Sequence, residues 1–230
     1  YWSAYIETPE QDTLNSLGDL LASFNATVQS QNDDKGMNGI TFLNDKLWVN
    51  GRNYGSDQSV VYEFNKQGEL LASHGYYALS PLGFRSITSD GEYLYGEDTY
   101  SINQIDPESF STVGYILKPS GSFQGMTYDP QKDHFWGGNS VGLIIEFDRD
   151  GNEINEFITD YSIHGLAWDQ WSPGGPFLWA WIETNDENGS GIEALRLDPN
   201  TCTPSGEGFL PQYFSDDPFS PDQPEDLVIT

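Results

Sequence analysis

Asn38-Gly39-Ile40-Thr41-Phe42-Leu43-Asn44-Asp45-Lys46-Leu47-Trp48-Val49-Asn50 reads as a short apolar strand opened by a polar residue, a tight turn, and a second strand carrying a large aromatic. The same opening returns at Arg85-Ser86-Ile87-Thr88-Ser89, Gln124-Gly125-Met126-Thr127-Tyr128, His164-Gly165-Leu166-Ala167-Trp168 and Glu225-Asp226-Leu227-Val228-Ile229. Tyr95, Trp136 and Trp179 follow the next three openings as Trp48 follows the first, while the aromatic matching the fifth, Trp2, stands at the other end of the chain.

The steps between equivalent apolar residues are 47, 39, 40 and 61 residues, and 43 from Leu227 around through Tyr1 to Ile40. Repeats of about 40 to 50 residues are the size of one four-stranded propeller blade, and a repeat split between the termini is how a ring of blades closes. The chain is therefore expected to be all-β, a five-bladed β-propeller in one domain spanning 1–230. Its blades are expected at about 38–77, 84–118, 123–161 and 163–214, with a closing blade built from 226–230 and 1–28. Gly18-Asp19-Leu20-Leu21-Ala22-Ser23-Phe24 parallels Gly68-Glu69-Leu70-Leu71-Ala72-Ser73-His74, so the head of the chain ends like a blade. Pairing head and tail in one sheet removes two exposed edges and predicts that Tyr1 and Thr230 lie close together on one rim.

Within the first complete repeat, strands are expected over 39–42, 46–50, 60–65 and 69–73, with turns at Asn44-Asp45 and Lys66-Gln67-Gly68. Such turn residues accept positive φ. Asp148-Arg149-Asp150-Gly151-Asn152-Glu153 has the look of a calcium loop but aligns with the plain hairpin at 65–68 and lacks the full ligand spacing, so it reads as a turn. The fourth repeat is the long one. Gln170-Trp171-Ser172-Pro173-Gly174-Gly175 is inserted before its second strand and 185–191 before its third, and ordered loops on a rigid scaffold often carry function. Residues 215–224 form an acidic, proline-rich bridge to the closing strand.

Acidic residues number 36 against 9 basic ones, a formal net charge of −27, and such a surface repels phosphate backbones and anionic lipid. Nucleic acid is thereby a poor partner. No run of about 18 apolar residues offers a membrane span. A single cysteine, Cys202, allows no intrachain disulfide. The absence of an initial methionine, with the sequons at Asn25 and Asn188 and the weaker Asn200-Thr201-Cys202, leads to an expectation of an excised segment of an exported, extracellular or cell-surface protein.

Equivalent positions at the openings form a polar ring of Asn38, Arg85, Gln124, His164 and Glu225. Convergent polar groups in a channel are ligand-binding candidates, for an anion through Arg85 or a metal through His164 and Glu225; the plainer reading is a water-lined channel in which Arg85 and Glu225 pair. The aromatic series at Trp2, Trp48, Tyr95, Trp136 and Trp179 is expected to fill the wedges between blades. Trp171 is the aromatic expected to be exposed, as a stacking surface for carbohydrate or partner or as a loop anchor. No cofactor is required by the sequence. Calcium is a low-affinity candidate at Asp186-Glu187 and Asp216-Asp217. No nucleophile elbow, phosphate loop or zinc spacing is present.

Ser86-Ile87-Thr88-Ser89-Asp90-Gly91-Glu92-Tyr93-Leu94-Tyr95-Gly96-Glu97-Asp98, running on to Ile105-Asp106-Pro107-Glu108-Ser109-Phe110, resembles blades of NHL/YVTN-like propellers and of plant-type glutaminyl cyclotransferases, which are five-bladed. Phe123-Gln124-Gly125-Met126 is similar to the cyclotransferases' Phe-Thr-Gln-Gly-Leu element, and Ile163-His164-Gly165 stands where their Gly-Glu-Gly would fall. Three functions follow as expectations. The first is a non-catalytic binding or assembly module for a protein or carbohydrate ligand. The second is a channel-mouth enzyme of cyclotransferase-like or lactonase-like type, with Glu225 as base and His164 or Arg85 steering substrate. The third is a self-assembling subunit of a filament or lattice.

Overall fold

The computed structural model describes residues 26–30, 34, 36–52, 59–79, 83–119, 121–186 and 189–209. Among them, sixteen strands form four antiparallel sheets of four, each a simple meander in chain order. The first sheet is β1 (Gly39–Leu43), β2 (Lys46–Arg52), β3 (Ser59–Asn65) and β4 (Leu70–Tyr76). The second is β5 (Ile87–Ser89), β6 (Leu94–Glu97), β7 (Ser101–Asp106) and β8 (Ser111–Leu117). The third is β9 (Gly125–Asp129), β10 (His134–Gly138), β11 (Leu143–Phe147) and β12 (Glu153–Ile158). The fourth is β13 (Ser162–Asp169), β14 (Phe177–Asp186), β15 (Gly189–Asp198) and β16 (Thr203–Phe209).

The sheets are blades of a β-propeller. Each first strand packs beside the next, β1 on β5, β5 on β9 and β9 on β13, while β13 and β1 do not approach one another in the same way. First and second strands are largely buried, whereas the fourth strands β8 and β12 are mostly exposed, as a radial arrangement requires.

Two differences from the sequence reading stand out. Four blades are described where five were expected, and the expected closing blade falls on residues outside the described ones except for 26–28. Those residues are helical, in α1 (Ala26–Gln29). Gln29 at the end of this helix clamps the β3–β4 hairpin: its Nε2 donates to the Gly68 carbonyl at 2.6 Å and its Oε1 accepts from Leu70 N at 3.1 Å. The second difference is that, of the expected insertion 185–191, the described residues 185, 186 and 189–191 are strand. β14 and β15 simply run longer, with the ladder continuing through Thr184↔Gly191 to Asp186↔Gly189.

The turns follow their residues. Asn44 and Asp45 both take positive φ, 55° and 61°, the pair that a two-residue hairpin needs to match strand twist. The 148–153 segment is a hairpin turn as read, with Asp148 Oδ1 accepting from Asp150 N and Asn152 N at 3.0 and 2.8 Å.

Packing between blades is built on the aromatic series. Trp48, Tyr95, Trp136 and Trp179 are all buried; Trp2 lies outside the described residues. Trp48 stacks on Phe110 of the second blade at 6.3 Å, and Trp136 on Trp168 of the fourth at 6.0 Å. Burying a large apolar side chain contributes about 2–3 kcal/mol, so these wedges are a main source of cohesion. Inner strands approach so closely that side chains are excluded: a Cβ on Gly125 would lie 2.5 Å from Gly165 Cα, Gly165 C and Leu166 N, all backbone. Ser89 Oγ donating to Phe42 O (2.9 Å) and Trp168 N donating to Thr127 Oγ1 (3.0 Å) join neighbouring inner strands directly.

Candidate functional site

Inner strands β9 and β13 end on aspartate and β5 is followed directly by one, and each carboxylate organises the turn that follows. Asp90 Oδ1 accepts from Glu92 N and Tyr93 N, Asp129 Oδ1 from Gln131 N and Lys132 N, and Asp169 Oδ1 from Trp171 N and Ser172 N, at 2.8–3.4 Å. A short acceptor side chain that captures amides two and three residues ahead fixes such a turn. In two of the three the second oxygen reaches the wedge aromatic, Asp90 Oδ2 accepting from Tyr95 OH at 2.8 Å and Asp169 Oδ2 from Trp179 Nε1 at 3.1 Å, whereas Asp129 Oδ2 and Trp136 Nε1 are buried without a hydrogen-bond partner among the described residues. In the first blade Leu43 replaces the aspartate, and Trp48 Nε1 donates to the Leu43 carbonyl instead. Burial opposes ionisation of Asp90 and Asp169, but these hydrogen bonds outweigh it and hold both carboxyls below their ordinary range.

Beside Asp90 the third blade contributes Arg149. Its Nε donates to Asp133 Oδ1 at 2.6 Å, Nη1 to Tyr95 OH at 2.6 Å, and Nη2 to Asp90 Oδ2 and Tyr128 OH at 2.9 and 3.1 Å. The guanidinium also lies over the rings of Tyr95, Tyr128 and Phe135. Burial works against this charge, yet Asp133 and Asp90 more than offset it and raise the Arg149 pKa further. The cation is spent on joining two blades.

Between these turns the channel opens into a cavity of about 220 Å³. Its wall carries Thr41, Thr88 and Thr127 from successive inner strands, with Trp168, Gln170 and Trp171 from the fourth blade. Trp171 is 71 % exposed. It nonetheless sits on a pinned loop, because its own amide and that of Ser172 are held by buried Asp169, and Gly175 N donates back to Ser172 O. An ordered aromatic at the rim of a concave cavity whose described lining is mostly uncharged is equipped to bind.

The polar ring stands elsewhere. Asn38, Arg85 and Gln124 lie at the opposite ends of the inner strands, where their amides extend the ladders to Asn50 O, Glu97 O and Gly138 O. None of them lines the cavity, and neither does His164. His164 occupies a register shift in β13 and faces Ser162 Oγ at 3.1 Å and Glu183 Oε2 at 3.5 Å. Gln124 Oε1 is buried without a partner. Glu225 lies outside the described residues, so its expected pairing with Arg85 does too; the carboxylate near Arg85 is Glu97, which takes Lys118. Of the calcium candidates, Asp186 ends β14 with its side chain outside the described set, as are Glu187, Asp216 and Asp217. Of the sequence candidates among the described residues, Trp171 is the one that lines the cavity.

Two further ionic clusters are structural. Glu63 accepts from Lys46 Nζ at 2.6 Å and faces His74 Nε2 at 3.1 Å. Glu146 accepts from Lys132 Nζ (3.0 Å) and Asn155 Nδ2 (2.6 Å) and faces His134 Nδ1 (3.0 Å). Each stands directly opposite a wedge tryptophan, Trp48↔Glu63 and Trp136↔Glu146. Burial resists their ionisation, but the surrounding donors win and lower both pKa values. Sequence reasoning missed them and the aspartate turns alike; the available signal was an aspartate at or directly after the end of three inner strands, each followed by the wedge aromatic.

No family model matches the chain, and no curated protein sequence does. Solved structures similar to it include a protein of unknown function from Bacteroides caccae (TM-score 0.52, 12% identity, 70% of this chain and 63% of that one). A glutaminyl cyclase of Myxococcus xanthus gives 0.51 and 12% over 73% of this chain and 68% of that one, and the WD40 domain of Neurospora crassa Pan2 gives 0.50 and 13% over 76% and 49%. At these identities the likeness is one of fold, and it supports the β-propeller. The chain spans about half the length of the Pan2 domain structure that it matches.

Proposed function

We propose that the protein is a non-catalytic binding module that takes its ligand at the cavity end of the propeller channel, with Trp171 as the contact aromatic. The observation that carries this reading is the pairing of an exposed indole with a loop pinned by Asp169 at the rim of the cavity. Exposing a tryptophan on a floppy loop costs little; fixing one in place beside a concavity is what recognition needs. Crystals soaked in a mixture of small aromatic and polyol fragments should show density against Trp171. Fragments bound only at other surfaces would overturn the reading.

The propeller is proposed to have five blades, the fifth combining 226–230 with the first strands of the chain. The support is the repeat spacing around the whole sequence and, among the described residues, the weaker approach of β13 and β1 compared with the other neighbouring first strands, where a fifth blade would fit. If so, a circular permutant joining Thr230 to Tyr1 through a short glycine linker and opened between blades at Pro119 should fold with near-native stability. A permutant that fails to fold would contradict closure. The acidic surface and the sequons favour an exported or cell-surface setting, in which the chain serves as one module of a longer protein. The cyclotransferase-like reading draws on Glu225, His164 and Arg85, of which the two described residues lie away from the cavity.

A further inference from the structure

Resting on that reading, we infer that the ligand at the cavity is a neutral saccharide, one sugar ring of which enters the channel mouth with a face against Trp171. Charge argues first. Asp90 is the one charged residue among those described as lining the cavity, and both its oxygens are taken, by Glu92 N and Tyr93 N on one side and by Tyr95 OH and Arg149 on the other. Among the described residues a charged ligand would therefore meet no uncommitted counter-charge, and an anion would also face the field of a chain at −27.

Hydrogen-bonding capacity argues next. Thr41, Thr88 and Gln170 line the cavity, and among the described residues their side chains make no hydrogen bond within the protein. Two hydroxyls and a carboxamide each donate and accept, which suits ligand hydroxyls of either polarity. The apolar part of the site is the indole of Trp171, whose face is large, rigid and amphipathic, and a sugar ring presents C–H groups on one face with hydroxyls around its edge.

Size decides against a peptide. A cavity of about 220 Å³ is smaller than the ~300 Å³ at which drug-sized pockets begin, so it admits a single ring and not several residues. A proline-rich peptide would want a groove of several aromatic ridges, and among the described residues Trp171 is the one largely exposed aromatic at this rim.

The test is a calorimetric and tryptophan-fluorescence titration of the full chain with neutral trisaccharides, namely cellotriose, maltotriose, xylotriose, mannotriose and laminaritriose. Trigalacturonic acid and a decaproline peptide serve as competitors. At least one neutral trisaccharide should bind, Trp171→Ala should weaken it about ten-fold or more, and trigalacturonic acid should bind at least about ten-fold more weakly. Circular dichroism of Trp171→Ala should stay native, since the side chain is exposed. Equal binding of trigalacturonic acid, indifference to Trp171→Ala, or decaproline binding where every saccharide fails would overturn the saccharide inference. In the last case the binding reading survives with a different ligand. Failure of saccharides together with failure of the fragment soak would remove both.

Discussion

A Gly125→Ala variant should lose about 3–5 kcal/mol of stability, read as a shift in the urea midpoint, or fail to fold at all. The added methyl would sit 2.5 Å from three backbone atoms of Gly165 and Leu166. Core overpacking usually costs 1–3 kcal/mol because side chains rotate away; here the obstacle is main chain, so β9 and β13 would have to part and open the wedge holding Trp136 and Trp168. Gly91→Ala is the control. Nothing lies within 4 Å of its Cβ, and its positive φ of 93° leaves only local strain, about 1 kcal/mol. If Gly125→Ala costs no more than Gly91→Ala, the inner strands do not meet as described.

Lys118→Met should be comparably damaging, for an electrostatic reason. Lys118 and Glu97 form an ion pair whose side chains are only 5 % and 1 % exposed, and Phe123 N also donates to the same Glu97 oxygen. Removing one partner of such a pair costs about 3–5 kcal/mol, because the other charge stays buried, whereas replacing both is often nearly neutral. The double variant Glu97→Gln/Lys118→Met should therefore recover most of the loss. Burial already holds the Glu97 carboxyl above its ordinary value of 4.5, with Lys118 pulling the other way. A raised folded pKa means that the native state prefers the proton, so stability is greatest below the unfolded value and falls as pH rises through the folded one. Without Lys118 the folded pKa rises further, so that fall extends to higher pH and is larger in total. The penalty of Lys118→Met should consequently be larger at pH 8 than at pH 4, and a penalty independent of pH would show that packing of the lysine stem, not charge, is what matters.

Both predictions concern features that the sequence half-discloses. The glycines of Asn38-Gly39, Gln124-Gly125 and His164-Gly165 are visible as a repeat, and the reason for two of them appears only in three dimensions: a Cβ on Gly125 would meet the backbone of the next blade, and one on Gly39 the Asn50 side chain and then the backbone of Ile87. Strand positions in the first blade are readable to within three residues because alternation and Asn-Asp or Gln-Gly turns agree there. In the fourth blade they are not: Asn185 to Gly191 has a loop's composition, and the β14–β15 ladder nonetheless runs on through Asn185↔Ser190 and Asp186↔Gly189.

The site was less legible. Equivalent positions at the strand openings do form a set, but the residues that precede the inner strands spend their amides on the ladders, while the cavity opens at the strands' other ends. Trp171 was findable because it sits in an insertion. Glu63 and Glu146 were not, since a lone glutamate in a strand reads as solvated until the register places it across from a buried tryptophan and beside a lysine and a histidine.

The most direct measurement is the indole N–H resonance of Trp171 in a ¹⁵N-labelled sample, assigned by its loss in Trp171→Ala and followed during titration with the fragment mixture. Binding at the channel mouth predicts that this resonance moves in a saturable way while those of buried Trp48 and Trp136 stay in place. A Trp171 signal that never moves while fragments demonstrably bind the protein would contradict it.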